Sequence, residues 1–322
     1  SINKYYGIKN KVNIKEFKKF KSFPKGFDFY LYSIYCLIFI LKKGASITIT
    51  RNYFICFLLI LFRQKAILEI HHDIKIEGRI TKFIIRFTNF LNNKNLLNIV
   101  AISKSVKILF ESKYQVSPKK IKVLPSGSSI RVNYSPNLIN NKRMKLGYFG
   151  SISSSKGINT IIKLSKIDPN NDYFIYGGSK KDISKLRILN FQRNLFLNKG
   201  IPYEQIKKKM LKMDVLLLPY TKIIKSAGGV DDISKYTSPL KLFDYLAVGK
   251  MIISSNLEVL REVISPKNAF FVNNYENIHE WKKKVLMVKN DKNKVLILSK
   301  NNFKLSKKYD HFNRVKHYFN NY

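Results

Sequence analysis

Apolar residues along this chain fall into short runs of two alternating kinds. Residues 27–41 form a long, nearly continuous run, as in a mostly buried helix. Residues 46–50 (Ser-Ile-Thr-Ile-Thr) are few and β-branched, as in a strand. The alternation continues with a helix over 53–62 and a strand over 67–70 that ends at His71-His72-Asp73. An apolar helix over 80–91, a strand over 98–102, a helix over 105–114 and a strand over 121–124 follow, closed by Pro125-Ser126-Gly127. The polar stretch 129–143, with Pro136 and several Asn, reads as a linker. Beyond it strands are expected at 145–149, 173–176, 195–198, 215–218 and 251–254. Helices are expected at 158–166, 203–213 and 239–248, and over most of the remainder.

Strands alternating with helices imply parallel sheets covered on both faces. With 322 residues, more than one core usually serves, the expectation is an α/β chain of two Rossmann-like, doubly wound domains facing across a cleft. The first would span 1–141 and the second 142–302, with a C-terminal helix in 303–322 packing back on the first. Such a domain normally opens with a strand, a glycine-containing turn and a helix. Residues 1–26 supply none of these and the chain begins at Ser1, so the first β-α unit is expected to be missing.

Charge changes the picture more than composition does. Sixty Lys and Arg against 20 Asp and Glu give a formal +40, which favours anionic partners such as phosphorylated substrates, acidic membrane surfaces or nucleic acid. The excess is mostly Lys spread along the chain with many Asn, Ile, Phe and Tyr, as an A/T-rich coding bias would also produce. No aromatic-basic ribbon or known nucleic-acid motif accompanies it, so nucleic acid is not the expected partner. Cys36 and Cys56 each sit in an apolar run, which suits a reducing cytoplasm better than a disulfide. The apolar run at 27–41 carries Asp28 and falls short of the ~20 residues a span needs, so the protein is expected in the cytoplasm or peripherally on the inner face of the cell membrane.

In doubly wound folds ligands gather at the carboxyl ends of the strands. Four loops of the second half fit that rule. The first is Gly150-Ser151-Ile152-Ser153-Ser154-Ser155-Lys156-Gly157, where small residues let the backbone approach an anion and Lys156 adds a full charge. It lacks both the dinucleotide glycine fingerprint and the P-loop. The second runs from Ser238 to Lys250. Ser238 is a natural N-cap, Pro239 a natural first helical residue and Gly249 a natural stop. Lys241 and Asp244, three apart, share a helix face, as a diphosphate site with a ribose acceptor or as a surface ion pair. The third is Gly200-Ile201-Pro202, where an apolar side chain could meet a planar base, and the fourth is the Gly177-Gly178 turn. In the first half His72 ends a buried strand and could donate a hydrogen bond or carry a proton. His71, His72 and Asp73 do not suggest a shared metal, because adjacent strand residues face opposite sides. No Ser has a base at triad spacing.

These residues resemble glycosyltransferase family 4, retaining enzymes of GT-B fold. The similarity runs in register through Ile102-Ser103, Gly150 with Lys156-Gly157, Gly200-Ile201-Pro202, 214–219 and 238–250, and ends at Leu260-Arg261-Glu262-Val263-Ile264. It is strong over 143–265 and fair over 45–127. It implies that Lys156 and Lys241 neutralise a departing diphosphate, that the backbone at Ser238, Pro239 and Leu240 cradles phosphate or sugar, and that Ile201 meets the base. Asp244 falls where the family's second motif glutamate binds ribose, and His72 where a histidine contacts the transferred sugar. Gly150, Ser151, Gly177 and Pro202 complete the expected donor site. Neither cofactor nor catalytic metal is implied, the nucleoside diphosphate sugar being a co-substrate. Three positions depart from the family. Tyr236 stands where the first motif glutamate belongs, with Asp231 and Asp232 the nearest carboxylates. Ser151 replaces a common Arg, and the glycine-rich loop of the first strand is absent.

The expected function is retaining transfer of a hexose-type unit from a nucleoside diphosphate sugar to a glycan or lipid-linked acceptor, as in cell-envelope polysaccharide or lipopolysaccharide synthesis. Two alternatives share the fold: a degenerate homologue that binds nucleotide as a partner subunit, and a nucleotide-sugar epimerase, for which few acid–base residues are visible.

Overall fold

The computed structural model describes residues 27–139, 142–190, 192–225 and 232–319, together with Lys15. The N-terminal stretch, where no opening β-α unit is visible in the sequence, thus lies outside the described residues apart from Lys15, as does Asp231.

The chain divides into two compact units. Among the described residues one runs from 126 to 314, and the other comprises 27–125 with 315–319. The boundary falls before the polar 129–143 stretch, not within it. Ile130 and Ile139 of that stretch are buried in the cores of the later unit, and Asn137 donates to the Asp214 carbonyl at 2.9 Å. That stretch is part of the later unit, not a free linker.

In the first unit, helix α1 (Phe27–Lys43) precedes strand β1 (Thr48–Thr50), and α2 (Tyr53–Leu61) precedes β2 (Ala66–Ile70). Helix α3 (Arg79–Phe87), β3 (Leu96–Ala101), α4 (Lys104–Tyr114) and β4 (Ile121–Val123) follow. The four strands form a parallel sheet in the order β1-β2-β3-β4. The single helix expected over 80–91 ends at Phe87. Thr88 turns extended and returns its hydroxyl to the Ile84 carbonyl at 2.7 Å, and a separate 3-10 turn covers Phe90–Asn92. In the C-terminal segment Tyr318 packs against Ile67 and Val100.

The second unit contains β5 (Lys145–Phe149), α5 (Ile158–Ile167), β6 (Asp172–Tyr176), α6 (Lys180–Leu189), β7 (Leu195–Asn198) and α7 (Tyr203–Leu211). It continues through β8 (Val215–Leu218), α8 (Leu240–Ala247), β9 (Met251–Ser255), the short α9 (Glu258–Arg261), β10 (Ala269–Val272), α10 (Ile278–Asn290), α11 (Lys292–Ser306) and the start of α12 (His311–Phe319), whose residues from 315 on belong to the first unit. Its six strands are all parallel, in the order β10-β9-β8-β5-β6-β7. Numbered within the unit this is 3-2-1-4-5-6 read from β7, the doubly wound order with its switch point between β5 and β8. Alternate residues of β8 serve opposite faces. Val215 and Leu217 join one core cluster with Ile161, Trp281 and Val285, while Leu216 and Leu218 join the other with Leu242 and Tyr245.

Two elements depart from the expectation. Helix α6 follows Ser179, whose side chain and that of Asp182 cap each other's backbone N–H groups. Strand β10 replaces part of the helical tail, pairing Ala269–Val272 with Ile252–Ser255. It is four residues long and flanked by helices, too little for a period of two to stand out.

At the carboxyl ends of β5, β6 and β7 the loops continue the ladder. Gly150 N–H donates to the Tyr176 carbonyl, Gly177 N–H to Asn198 and Gly200 N–H to Gly178, each at 3.0 Å. Gly177 therefore serves close packing of two loops rather than simply leaving room for a ligand. A Cβ placed there would lie 1.7 Å from the Gly150 carbonyl oxygen, whereas one at Gly200 would meet nothing nearer than 3.4 Å. Gly177→Ala should consequently lower stability by at least about 2 kcal/mol, a Tm drop of roughly 5 °C, while Gly200→Ala stays within about 1 °C of the parent in thermal unfolding.

Candidate functional site

The pairing of β5 with β8 covers Leu146↔Val215 and Gly147↔Leu216 and stops short of the strand ends. Beyond that point, at the switch point of the second unit, two tyrosines and two lysines converge. Tyr148 lies near the end of β5, Tyr220 two residues past β8, Lys156 just before α5 and Lys241 in the first turn of α8.

Lys241 is the centre of the arrangement. Its ammonium lies 4.0 Å from the ring centroid of Tyr148 and 4.6 Å from that of Tyr220, and donates to the Tyr148 hydroxyl at 2.8 Å. That hydroxyl in turn donates to the Ser151 carbonyl at 2.9 Å. Gly150 makes room: a Cβ at this position would stand 3.1 Å from Lys241 Cε and 3.2 Å from its Nζ. The Lys156 ammonium lies over the other side of the cluster, 5.5 Å from the Tyr220 centroid. Among the described residues no carboxylate forms an ion pair with either lysine. Burial, then the like charge of Lys156, holds Lys241 well below the ordinary lysine value, and burial lowers Lys156. Burial raises the phenols of Tyr148 and Tyr220, so both stay neutral partners. Cation–π contact worth up to ~2 kcal/mol each when desolvated partly offsets the cost of holding like charges together.

Asp244 sits one turn further along α8 and does not pair with Lys241. Its Oδ1 accepts from the Ser128 hydroxyl at 2.6 Å and from the Tyr203 hydroxyl at 2.8 Å. The surface ion pair that the i,i+3 spacing allowed is therefore not made. Burial, opposed by the hydrogen bonds from Ser128 and Tyr203, pushes the Asp244 carboxyl up to about 6. Tyr203 follows directly on Gly200-Ile201-Pro202, so this contact joins the third loop to α8. Ile201 and Pro202 are half-buried there.

The cap of α8 differs from the expectation. Pro239 itself is the N-cap, extended at φ −71° and ψ 113°, and Leu240 is the first helical residue. The Ser238 hydroxyl instead accepts the Ser126 N–H at 2.9 Å, fixing the start of the second unit against the α8 entrance. The prolyl ψ is too extended for the first helical position, which moves the helix start on by one. Leu240 is 61% exposed.

Tyr236, in place of the family's first glutamate, is half-buried, with its N–H donating to Ile233. Asp232 is committed to its own loop, accepting from Ile224 N–H, Ser234 N–H and the Ser234 hydroxyl. Asp214 accepts the Lys145 N–H at 2.8 Å, and Lys250 donates to Asn137 at 3.1 Å. Both sit in stretches that carried the resemblance, and both are structural.

His72 belongs to the first unit. Its Nδ1 is 3.2 Å from the Asp73 carbonyl and its Nε2 3.7 Å from Glu77. His71 is held more tightly: its Nε2 lies 2.6 Å from Glu69, a carboxylate buried in β2 that also pairs with Arg51 at 2.7 Å. Asp73 is taken by the Lys75 N–H, the Lys113 ammonium and the Tyr114 hydroxyl. Among the described residues no group of three His, Cys, Asp or Glu side chains could hold a metal ion. Nor is any helix among them long and apolar enough to cross a membrane.

Sequence reasoning missed Tyr148, Tyr220 and Ser128 and gave Tyr203 no role. The available signal was position alone, each of the first two lying within two residues of a strand's carboxyl end.

A doubly wound unit with paired lysines and no acid at its switch point is built to receive an anion. The sequence family described as "Glycosyl transferases group 1" matches residues 131–305, more than half of the chain, and this chain belongs to it. Solved structures with a similar fold include HepE from Anabaena in complex with UDP-glucose. It is 13% identical at a TM-score of 0.65, over 89% of this chain and 80% of that one. A glycosyltransferase from Rickettsia africae is 16% identical at 0.67, over 94% and 82%. The apo lipopolysaccharide outer core galactosyltransferase WaaB is 15% identical at 0.65, over 94% and 82%. At these identities the likeness is one of fold, the two Rossmann-like domains of GT-B. No curated protein matches the chain in sequence.

The raised Asp244 carboxyl has a consequence for stability. Its value rises from 3.8 to about 6 on folding, so the stability it contributes when protonated is full below pH 4 and lost as pH rises through 6. Asp244→Asn keeps an oxygen for Ser128 and Tyr203 without the charge. The variant should exceed the parent by on the order of 2 kcal/mol at pH 8 and show no gain at pH 4, as read by denaturant unfolding at the two pH values.

Proposed function

We propose that the protein is a retaining, metal-independent glycosyltransferase of the family 4 type, whose second unit binds a nucleoside diphosphate sugar. The observation that carries this reading is the uncompensated lysine pair at the switch point. Two ammonium groups that lack a carboxylate gain most when a diphosphate arrives between them. Lys241 and Lys156 would neutralise charge as the diphosphate departs. The backbone at Gly150, Ser151 and Gly177, and at Ser238, Pro239 and Leu240, would line the phosphates and sugar. Ile201 and Pro202 would meet the base, and Asp244 would accept a ribose hydroxyl at Oδ2, since its present hydrogen bonds fall on Oδ1. His72 would contact the transferred sugar. The leaving phosphate itself would assist the incoming hydroxyl, so no second carboxylate is required, unlike in glycosidases.

The acceptor in this reading is a glycan or lipid-linked sugar of cell-envelope polysaccharide assembly, met in the cytoplasm at the inner membrane face. The galactosyltransferase of lipopolysaccharide outer core among the similar structures supports the class of product. UDP is the first nucleotide to test, because HepE holds UDP-glucose. Tyr236 in place of a glutamate favours one second reading, a nucleotide-binding partner subunit without turnover.

Titration calorimetry with UDP, GDP and ADP checks the donor site. One of them should bind saturably and indifferently to EDTA. Lys241→Met should weaken that binding about 100-fold, or ~2.7 kcal/mol, without lowering Tm, because the variant removes a poorly compensated buried charge. Failure of all three nucleotides would sink the reading, and binding without sugar transfer to any acceptor would favour the partner subunit.

A further inference from the structure

The first unit carries a second basic feature, far in sequence from the switch-point lysines. Helix α3 reads Arg-Ile-Thr-Lys-Phe-Ile-Ile-Arg-Phe, with three cations and no acid. Ile80, Phe83 and Phe87, at spacings of three and four, share one face and are 48%, 62% and 65% exposed. The rings of Phe83 and Phe87 touch each other, with centroids 4.5 Å apart. Two large aromatic rings tilted against each other in water on a nine-residue helix leave much of their apolar area unburied.

Beside this stripe lies a cavity of about 500 Å³ lined by Lys75, Lys82, Arg86 and Lys113, with Ile74, Ile85, Tyr114 and Gln115 completing the wall. No acidic side chain lines it. Lys113 is neutralised by buried Asp73 at 3.0 Å. The Lys82 ammonium reaches only the Lys75 carbonyl, at 3.2 Å. The charge of Lys82 is felt by the Glu77 carboxyl, but among the described residues no carboxylate forms an ion pair with Lys75, Lys82 or Arg86, and a bound anion would relieve their repulsion.

We propose that α3 and this cavity form a docking surface for an anionic lipid bilayer, with a lipid phosphate in the cavity and Ile80, Phe83 and Phe87 inserted at the acyl boundary. The occupant follows from the pairing of two chemistries on one helix. A soluble phosphate would satisfy the cations and leave the stripe wet, and a nucleic-acid duplex, its bases stacked on one another, would leave it wet as well. A lipid surface satisfies both at once. The proposal deepens the acceptor side of the function above and makes no use of the donor site, so its failure leaves nucleotide binding untouched.

Vesicle co-sedimentation of the full chain at about 0.1 M salt tests it, with phosphatidylcholine vesicles against the same vesicles carrying about one third phosphatidylglycerol. The chain should bind the anionic vesicles and not the neutral ones. Phe83→Ser with Phe87→Ser, and separately Lys82→Gln with Arg86→Gln, should each lower binding at least tenfold with Tm unchanged, since these side chains are exposed. Ile188→Ser with Leu189→Ser, exposed apolar residues of α6, should change nothing. Excess inorganic phosphate at constant ionic strength should compete only weakly. Absence of vesicle binding, equal loss in the α6 control, or unchanged binding by both α3 variants would overturn the proposal. So would an oligonucleotide that binds more tightly than the vesicles and depends on the same lysine and arginine.

Discussion

The ammonium of Lys241 sets the terms for the second unit. A lysine without a carboxylate, held between the faces of Tyr148 and Tyr220, is tolerable only while those rings stay in place and the nearby backbone stays clear. Each condition draws in another element. Tyr148 is fixed by its bond to the Ser151 carbonyl, which ties the lysine to the shape of the first loop. Gly150 must lack a side chain, and its carbonyl lies where any side chain at Gly177 would go. Tyr220 follows β8 and is packed in the core cluster that contains Leu242 and Tyr245 of α8 itself. The neighbouring Tyr245 hydroxyl donates nothing to the site; it accepts the Phe149 N–H at 2.9 Å, holding α8 to the end of β5. The same helix therefore supplies the charge and the contact that positions it.

This arrangement explains why the switch point lies between β5 and β8 rather than simply accompanying the site. In the doubly wound order the connections from these two strands leave on opposite faces of the sheet, so nothing crosses their carboxyl ends. Their pairing ends at Gly147↔Leu216. The gap is filled by tyrosines and lysine ammonium groups instead of backbone, which gives a polar surface at the mouth of an otherwise apolar sheet.

The periodic parts of this architecture were legible in the sequence. The fully apolar run of β8, the helix of α8 and the glycines at the ends of β5, β6 and β7 are local patterns, and their register with family 4 brought Lys156, Lys241 and Asp244 forward together. What stayed hidden depends on contacts between distant positions. The Lys241–Tyr148 bond spans 93 residues and the Ser128–Asp244 bond 116. Nothing at Ser128 marks it as the partner of an aspartate, and the polar composition around it suggested a linker when the segment is part of the core. The α8 cap failed for a different reason. Ser238 and Pro239 have the preferred types for a cap and first turn, but the Ser126 N–H competes for the serine hydroxyl, and a tertiary contact displaces the local preference.

The distribution of carboxylates ties the sites to the charge of the whole chain. With 20 acidic residues for 60 basic ones, ion pairing could neutralise only a third of the cations, and among the described residues many of the acids serve other donors as well or instead. Asp182 and Asp291 accept helix-terminal N–H groups, Asp73 and Asp310 accept N–H groups of the turns they begin, and Asp214 accepts an N–H at the start of β5. Asp168 is occupied by Asn171 and the Tyr173 hydroxyl, and Asp244 by Ser128 and Tyr203. Asp73 and Asp310 also pair with Lys113 and Arg131, but acids spent on backbone and hydroxyl donors fix the fold and leave most of the positive charge in place. Among the described residues, the lysines at the switch point and the lysine and arginines of α3 consequently form no ion pair, in two separate units, whatever the origin of the lysine excess. A coding bias can supply cations anywhere on a surface. It does not by itself gather them around a cavity beside two contacting phenylalanines, or set one between two tyrosine rings opposite a glycine.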